Sequence, residues 1–171
     1  GPLYVPIMMF VIIGTVNAVN LTDGLDGLAS GITLIVSIFF MLLAISVGNS
    51  DVAILAAATG GACLGFLGFN SYPAKVFMGD TGSMALGGAV VSFAVLTNSV
   101  LLIPIVGGIY FAEAISVIIQ VTSFRLTGKR VFKMAPIHHH FEQCGWPETR
   151  VVFVFWITTV VLAWIGIIAV F

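Results

Sequence analysis

Six long apolar runs separated by short polar breaks set the pattern of this chain. We read the runs as Leu3–Val19, Leu28–Val47, Val52–Phe69, Met84–Leu96, Ile103–Phe124 and Val151–Phe171. A helix crossing a bilayer needs about 20 mostly apolar residues, and most of these runs have that length. The fourth is short before the polar break Thr97-Asn98-Ser99 and is open to running on through Leu102. Pro104 suits the first turn of the fifth, where its missing N–H costs nothing. Stretches such as Leu34–Ala44 are continuously apolar, without the alternation of a membrane barrel. The pattern therefore predicts an all-α polytopic membrane protein with about six transmembrane helices.

Composition agrees with the pattern. Of 171 residues, 60% are hydrophobic and 8% are charged, against about 25% charged in soluble domains. Mean hydropathy is +1.18, so membrane lipid is the expected solvent for most of the chain. A net charge of −1 gives no footing for a nucleic-acid partner. All six Lys and Arg fall in breaks on one side of the layout: Lys75, Arg125, Lys129, Arg130, Lys133 and Arg150. The positive-inside rule then puts three loops, Asn20–Gly27, Asn70–Ser83 and Arg125–Arg150, in the cytoplasm. Cys63 lies in an apolar run and Cys144 in a polar loop, a distribution that favours two free thiols. The chain starts without Met. We read residues 1–171 as one transmembrane domain belonging to the C-terminal part of a larger membrane protein.

The second loop carries the sharpest chemistry. Asn70–Ser83 holds Lys75, Phe77, Gly79, Asp80, Thr81, Gly82 and Ser83 between two apolar runs. A hard cation such as Mg²⁺ takes one or two carboxylates and completes its shell with phosphate oxygens and water. Asp80 is the candidate ligand, with Thr81 and Ser83 as further oxygen donors, Phe77 to stack on a base and Lys75 to meet a phosphate. Asp80 or Thr81 capping the fourth helix is the competing reading. In the first loop Asn20, Asp23 and Asp26 recur every third residue beside Gly24 and Gly27. On a helical turn they would share a sector of about 120° and face a polar ligand from the cytosol. Alternatively, Asp26 or Thr22 caps the second helix.

Within the fifth run, Glu113, Ser116 and Gln120 form one polar stripe. Polar groups at membrane depth usually face a bundle interior or a wet cavity. Glu113 reads as a packed residue and Gln120, near the cytoplasmic end, as a site wall. The third loop contains His138-His139-His140 followed by Phe141-Glu142. Consecutive residues on a helix diverge by about 100°, so the three imidazoles cannot converge on one metal there, whereas His138 and His140 would share a side of an extended segment. Histidines beside a diphosphate are suited to donate hydrogen bonds or carry protons. Trp146-Pro147 reads as an interfacial anchor.

Taken together, Asn17-Ala18-Val19-Asn20-Leu21-Thr22-Asp23-Gly24-Leu25-Asp26-Gly27, Asn70–Ser83 and Met134–Glu142 resemble the bacterial phospho-N-acetylmuramoyl-pentapeptide transferases. These belong to the polyprenyl-phosphate N-acetylhexosamine-1-phosphate transferases. The first two motifs suit the whole superfamily; the histidine segment running into Gly145-Trp146 is specific to the muramoyl-pentapeptide branch. The resemblance covers essentially the full chain. It implies an Mg²⁺-dependent transfer of phospho-N-acetylmuramoyl-pentapeptide from UDP-N-acetylmuramoyl-pentapeptide to undecaprenyl phosphate, giving lipid I and UMP at the cytoplasmic face of the bacterial inner membrane. By the same resemblance, Asp80 is the metal-binding and catalytic aspartate, and His138, His139 and His140 are the catalytic histidine motif. Asn20, Asp23, Asp26, Asn70, Phe77 and Gln120 are implied to bind substrate. The oligomeric state is left open, a homodimer included.

The family has about ten spans and an adjacent Asp-Asp pair in an earlier helix. No Asp-Asp occurs in this sequence, so the resemblance implies that this segment alone is inactive. Two other functions fit parts of the sequence: a UDP-N-acetylglucosamine phosphotransferase, against which the histidine segment argues, and a polytopic transporter. A transporter gathers functional groups at the bilayer midplane, and here they crowd into the loops.

Overall fold

The computed structural model describes residues 1–170, which form helices and turns without a strand among the described residues. The helices are α1 (Tyr4–Thr22), α2 (Leu28–Ser46), α3 (Ser50–Asn70), α4 (Gly79–Leu96), α5 (Ile103–Val106), α6 (Gly108–Thr127), α7 (Ile137–Gln143) and α8 (Glu148–Val170). Six of them, all but the short α5 and α7, are long and apolar enough to cross a membrane. The sixth run ends at Phe171, which lies outside the described residues.

α2 is the axis of the bundle. Its residues Leu28, Ile32, Val36, Phe40 and Leu43 are fully or almost fully buried, and α3 and α8 pack on it while α1 packs on α4 and α6. Glycine makes the closest crossings. A Cβ on Gly87 would stand 2.7 Å from the Val16 Cα, and one on Gly31 would overlap the Trp156 indole. Both contacts exist because those positions carry no side chain. By contrast α1 turns Tyr4, Ile7, Phe10 and Ile13 outward, as a helix solvated by lipid does.

The fourth run ends where the sequence reading placed it, while its start and the continuity of the fifth run differ. The fourth helix stops at Leu96 and does not run on through Leu102. The Thr97 hydroxyl donates to Phe93 O, Ser99 N donates to Ala94 O, and Asn98 takes a φ of 54°, so the polar triplet satisfies the last carbonyls and turns the chain. The chain re-enters through a 3₁₀ turn at Val100–Leu102. The fifth run is two helices joined at Gly107, with Pro104 in the opening turn of α5 as expected. At the other end of the fourth run the helix begins earlier than the apolar pattern does, at Gly79. Asp80, Thr81 and Ser83 are therefore helical residues.

The connections sort into two ends. Asn49 caps α3 by accepting from Val52 N, and its amide donates to Leu96 O at 3.3 Å. That contact joins the α2–α3 and α4–α5 turns at one end. The α1–α2 and α3–α4 connections meet at the other end through Asn70 and Asp26, and Glu148 at the start of α8 joins them there.

Candidate functional site

At that end the first and second loops are sewn together. Asn70, only 4% exposed at the end of α3, accepts from Gly27 N at 3.1 Å and from the Ser30 hydroxyl at 3.0 Å, and donates to Val76 O at 3.0 Å. Asp26 Oδ2 accepts from Ala74 N at 2.8 Å, while Asp26 N donates to Glu148 Oε1 at 2.6 Å. Glu148 opens α8, so the last helix also holds the first loop. Gly27 has a φ of 78°, a left-handed turn open to glycine, and it starts α2 with no side-chain cap. Neither capping reading holds: the Thr22 hydroxyl donates back to Ala18 O, and Asp26 reaches across to the second loop.

Asn20, Asp23 and Asp26 do not share one helical turn. α1 ends at Thr22 and Asp23 leaves it with φ −80° and ψ 50°. Asn20 and Asp23 nevertheless meet Asp80. The Asn20 amide donates to Asp80 Oδ1 at 3.1 Å and to the Ser83 hydroxyl at 2.9 Å. The Asp23 carboxyl is held above its ordinary range, first by burial and then by the charge of Asp80. Like charges in one small space oppose each other's ionisation. A cavity of about 230 Å³ lies between these residues, lined by Asp23, Gly24, Asp26, Asn70, Phe77 and Asp80 among others. The Phe77 ring, 75% exposed, stands on its wall as an uncovered apolar plate.

Some residues assigned to ligand in the sequence are occupied by the fold. The Asn70 carbonyl oxygen already takes two donors. Ser83 is fully buried, and its hydroxyl takes the Asn20 amide while facing the Gly79 and Asp80 carbonyls, so it is not a free oxygen ligand. Gln120 does not line the Asp80 cavity. Its carbonyl accepts from Val131 N and Phe132 N, and its amide donates to Phe132 O at 3.0 Å. It clamps the third loop onto α6 and borders a separate cleft with Arg125 and Arg130.

The histidines lie on α7 and point to different partners, as helical divergence requires. His138 is 1% exposed and its Nδ1 lies 3.0 Å from Oε2 of Glu113, which is itself wholly buried. His139 Nδ1 lies 2.6 Å from Glu142 Oε2. His140 Nδ1 accepts from Lys133 N at 3.1 Å. Among the described residues no three His, Cys, Asp or Glu gather into a metal cluster. Glu113 was readable only as a packed residue; its partner stands 25 residues away across a loop whose return path has no periodic signature.

Comparison with known proteins now decides the family. The family model described as glycosyl transferase family 4 matches residues 1–98. The chain belongs to glycosyl transferase family 4. It is 81% identical, over its whole length, to a phospho-N-acetylmuramoyl-pentapeptide-transferase of Clostridioides difficile (strain 630), covering 53% of that protein. A protein of the same name from Alkaliphilus metalliredigens is 66% identical over 83% of this chain and 43% of its own length. Another, from Acetivibrio thermocellus, is 58% identical over 99% of this chain and 52% of its own length. The chain thus spans about half the length of these relatives. As a family 4 chain with six spanning-length helices, it is a multi-pass membrane protein.

Proposed function

We propose that this chain supplies part of the site of a phospho-N-acetylmuramoyl-pentapeptide transferase. The enzyme moves the phospho-sugar of UDP-N-acetylmuramoyl-pentapeptide onto undecaprenyl phosphate, releasing UMP and giving lipid I, on the cytoplasmic side of the bacterial inner membrane. One observation carries the reading: Asp23 and Asp80 face each other across a 230 Å³ cavity, with Asn20 bonded to Asp80. The polar groups gather at one end of the bundle rather than at its middle, which favours surface chemistry over transport.

The donor set fits Mg²⁺. Two carboxylates without a third protein ligand match a cation that completes its shell with water and phosphate oxygens, and a divalent charge relieves the opposition that raises the Asp23 carboxyl. Asp80 and Asp23 would hold it. Bound there, Mg²⁺ would screen the diphosphate and stabilise the charge that develops on departing UMP.

The remaining residues position and bind. Asn20 aims Asp80 by a hydrogen bond to one carboxylate oxygen, leaving the other free. Phe77 offers a face for the uracil ring. Lys75, in the same loop, is the nearest basic residue in sequence to Asp80 and would meet a phosphate as a point charge. His139 and His140, both partly exposed on α7, are the members of the motif open to substrate, whereas His138 lies beneath the surface. Asp80→Asn in the full-length protein tests the reading. UMP release that depends on Mg²⁺ should vanish with expression intact; turnover near that of the wild type would overturn the metal role of Asp80.

A further inference from the structure

Beneath the first loop is a buried charge-bearing pair. Glu113 is 0% and His138 1% exposed, with Glu113 Oε2 and His138 Nδ1 3.0 Å apart. The approach is close but off the hydrogen-bond axis, and no other hydrogen-bond partner serves either side chain. Burying two such groups is unfavourable unless they serve each other. The far edge of the imidazole abuts Gly24. A Cβ there would overlap His138 Nε2 and stand 2.7 Å from Cε1. Gly24 follows Asp23 and lines the Asp80 cavity, whose lining does not include His138. The contacts therefore run in series from Glu113 to His138, to Gly24, to the cavity.

We infer that Glu113 is a positioning residue: it holds the His138 ring as a pillar under Gly24, and the pillar fixes the segment that carries Asp23 and Asp26. This rests on the reading of the cavity as the transferase site. His138 then acts through the first loop rather than by touching substrate. α6 contributes to the site through a carboxylate that never reaches the cavity.

The full-length protein carrying Glu113→Gln, which keeps the shape and replaces the carboxyl group by an amide, tests the pillar against simple packing. The Mg²⁺ concentration giving half-maximal UMP release should rise about ten- to hundred-fold, the range over which supporting groups act on the ligands they orient. The melting temperature should stay near that of the wild type, and backbone hydrogen exchange should quicken in the peptide spanning Asn20–Gly27 but not in α3. The double variant with His138→Gln should be no worse than His138→Gln alone, because both break one pillar. An unchanged Mg²⁺ requirement, an activity loss that follows the melting temperature, or additive effects would overturn the inference. If Asp80→Asn proves active, the reading of the Asp80 cavity as the metal site fails by itself. Exchange in Asn20–Gly27 then decides the pillar alone: faster in Glu113→Gln upholds it, unchanged overturns it.

Discussion

Asn20 and Asp80 lie 60 residues apart and are joined by a hydrogen bond of 3.1 Å that runs from the end of α1 to the first turn of α4. The same amide also reaches Ser83, so one side chain sets both the position of α4 against α1 and the direction of the Asp80 carboxylate. Replacing Asn20 with Leu removes the donor while keeping the same branched skeleton. The expected outcome is an apparent Mg²⁺ affinity weaker by about ten- to hundred-fold, read by titrating Mg²⁺ against UMP release. A variant with the wild-type Mg²⁺ dependence would contradict the role given to Asn20.

Asp23 should show a pH dependence of a defined sign. Its folded-state pKa is raised by burial and by Asp80, so the protonated carboxyl is favoured in the folded state. Its contribution to stability is fully present below its unfolded pKa and is lost as pH rises through the folded value. Asp23→Asn should therefore raise the melting temperature at neutral pH, lose that advantage in acid, and reduce transferase activity. Asp80→Asn should lower the pH at which Asp23 titrates, because it removes the second cause of the shift. Melting curves across the acidic range give both answers.

Asn70→Ala should harm folding more than any exposed change in the second loop. It strands Gly27 N and the Ser30 hydroxyl in a buried setting, and each unmade bond there costs about 1–3 kcal/mol. Thermal unfolding in detergent should show a clear loss. A melting temperature equal to the wild type would mean that the two loops hold without Asn70.

Glycine packing offers an internal control on α4. Gly87→Ala places a Cβ 2.7 Å from the Val16 Cα, whereas Gly88→Ala meets nothing within 4 Å. The first should destabilise by about 1–3 kcal/mol through overpacking. The second should be neutral or slightly stabilising, because alanine is the better helix former. Equal melting temperatures for the pair would refute the close α1–α4 crossing.

How much of this was legible in the sequence follows from where the polar residues stand. In a chain so apolar, each break marks a loop, and one-sided Lys and Arg sort the loops into two sets; the contacts of Asn20, Asn70 and Gly24 bear out that grouping. Asp80 and Asp23 were readable as candidate carboxylates because glycines and apolar runs give them few structural duties, and both line one cavity. Asn70, Ser83 and Gln120 were not readable in the same way. An amide or hydroxyl that binds backbone looks identical, in sequence, to one that binds ligand. The start of α4 was missed because Gly79–Ser83 is polar and glycine-rich, without an apolar period, while the packing of α1 on α4 carries the helix through it. The third loop returns along α6 through Gln120 and Glu113, contacts that depend on tertiary position and leave no period to detect.

The stitching of the first two loops has a consequence for how a ligand would be received. Asn70, Asp26 and Asn20 tie Gly27, Ser30, Val76, Ala74, Asp80 and Ser83 into one connected frame. The conformational entropy of shaping the cavity is thus surrendered during folding, before any ligand arrives. On the proposed function, an incoming nucleotide would meet walls that are already set, and more of its contact energy would remain as net affinity. Phe77 stands on the wall outside those stitches, with its ring exposed.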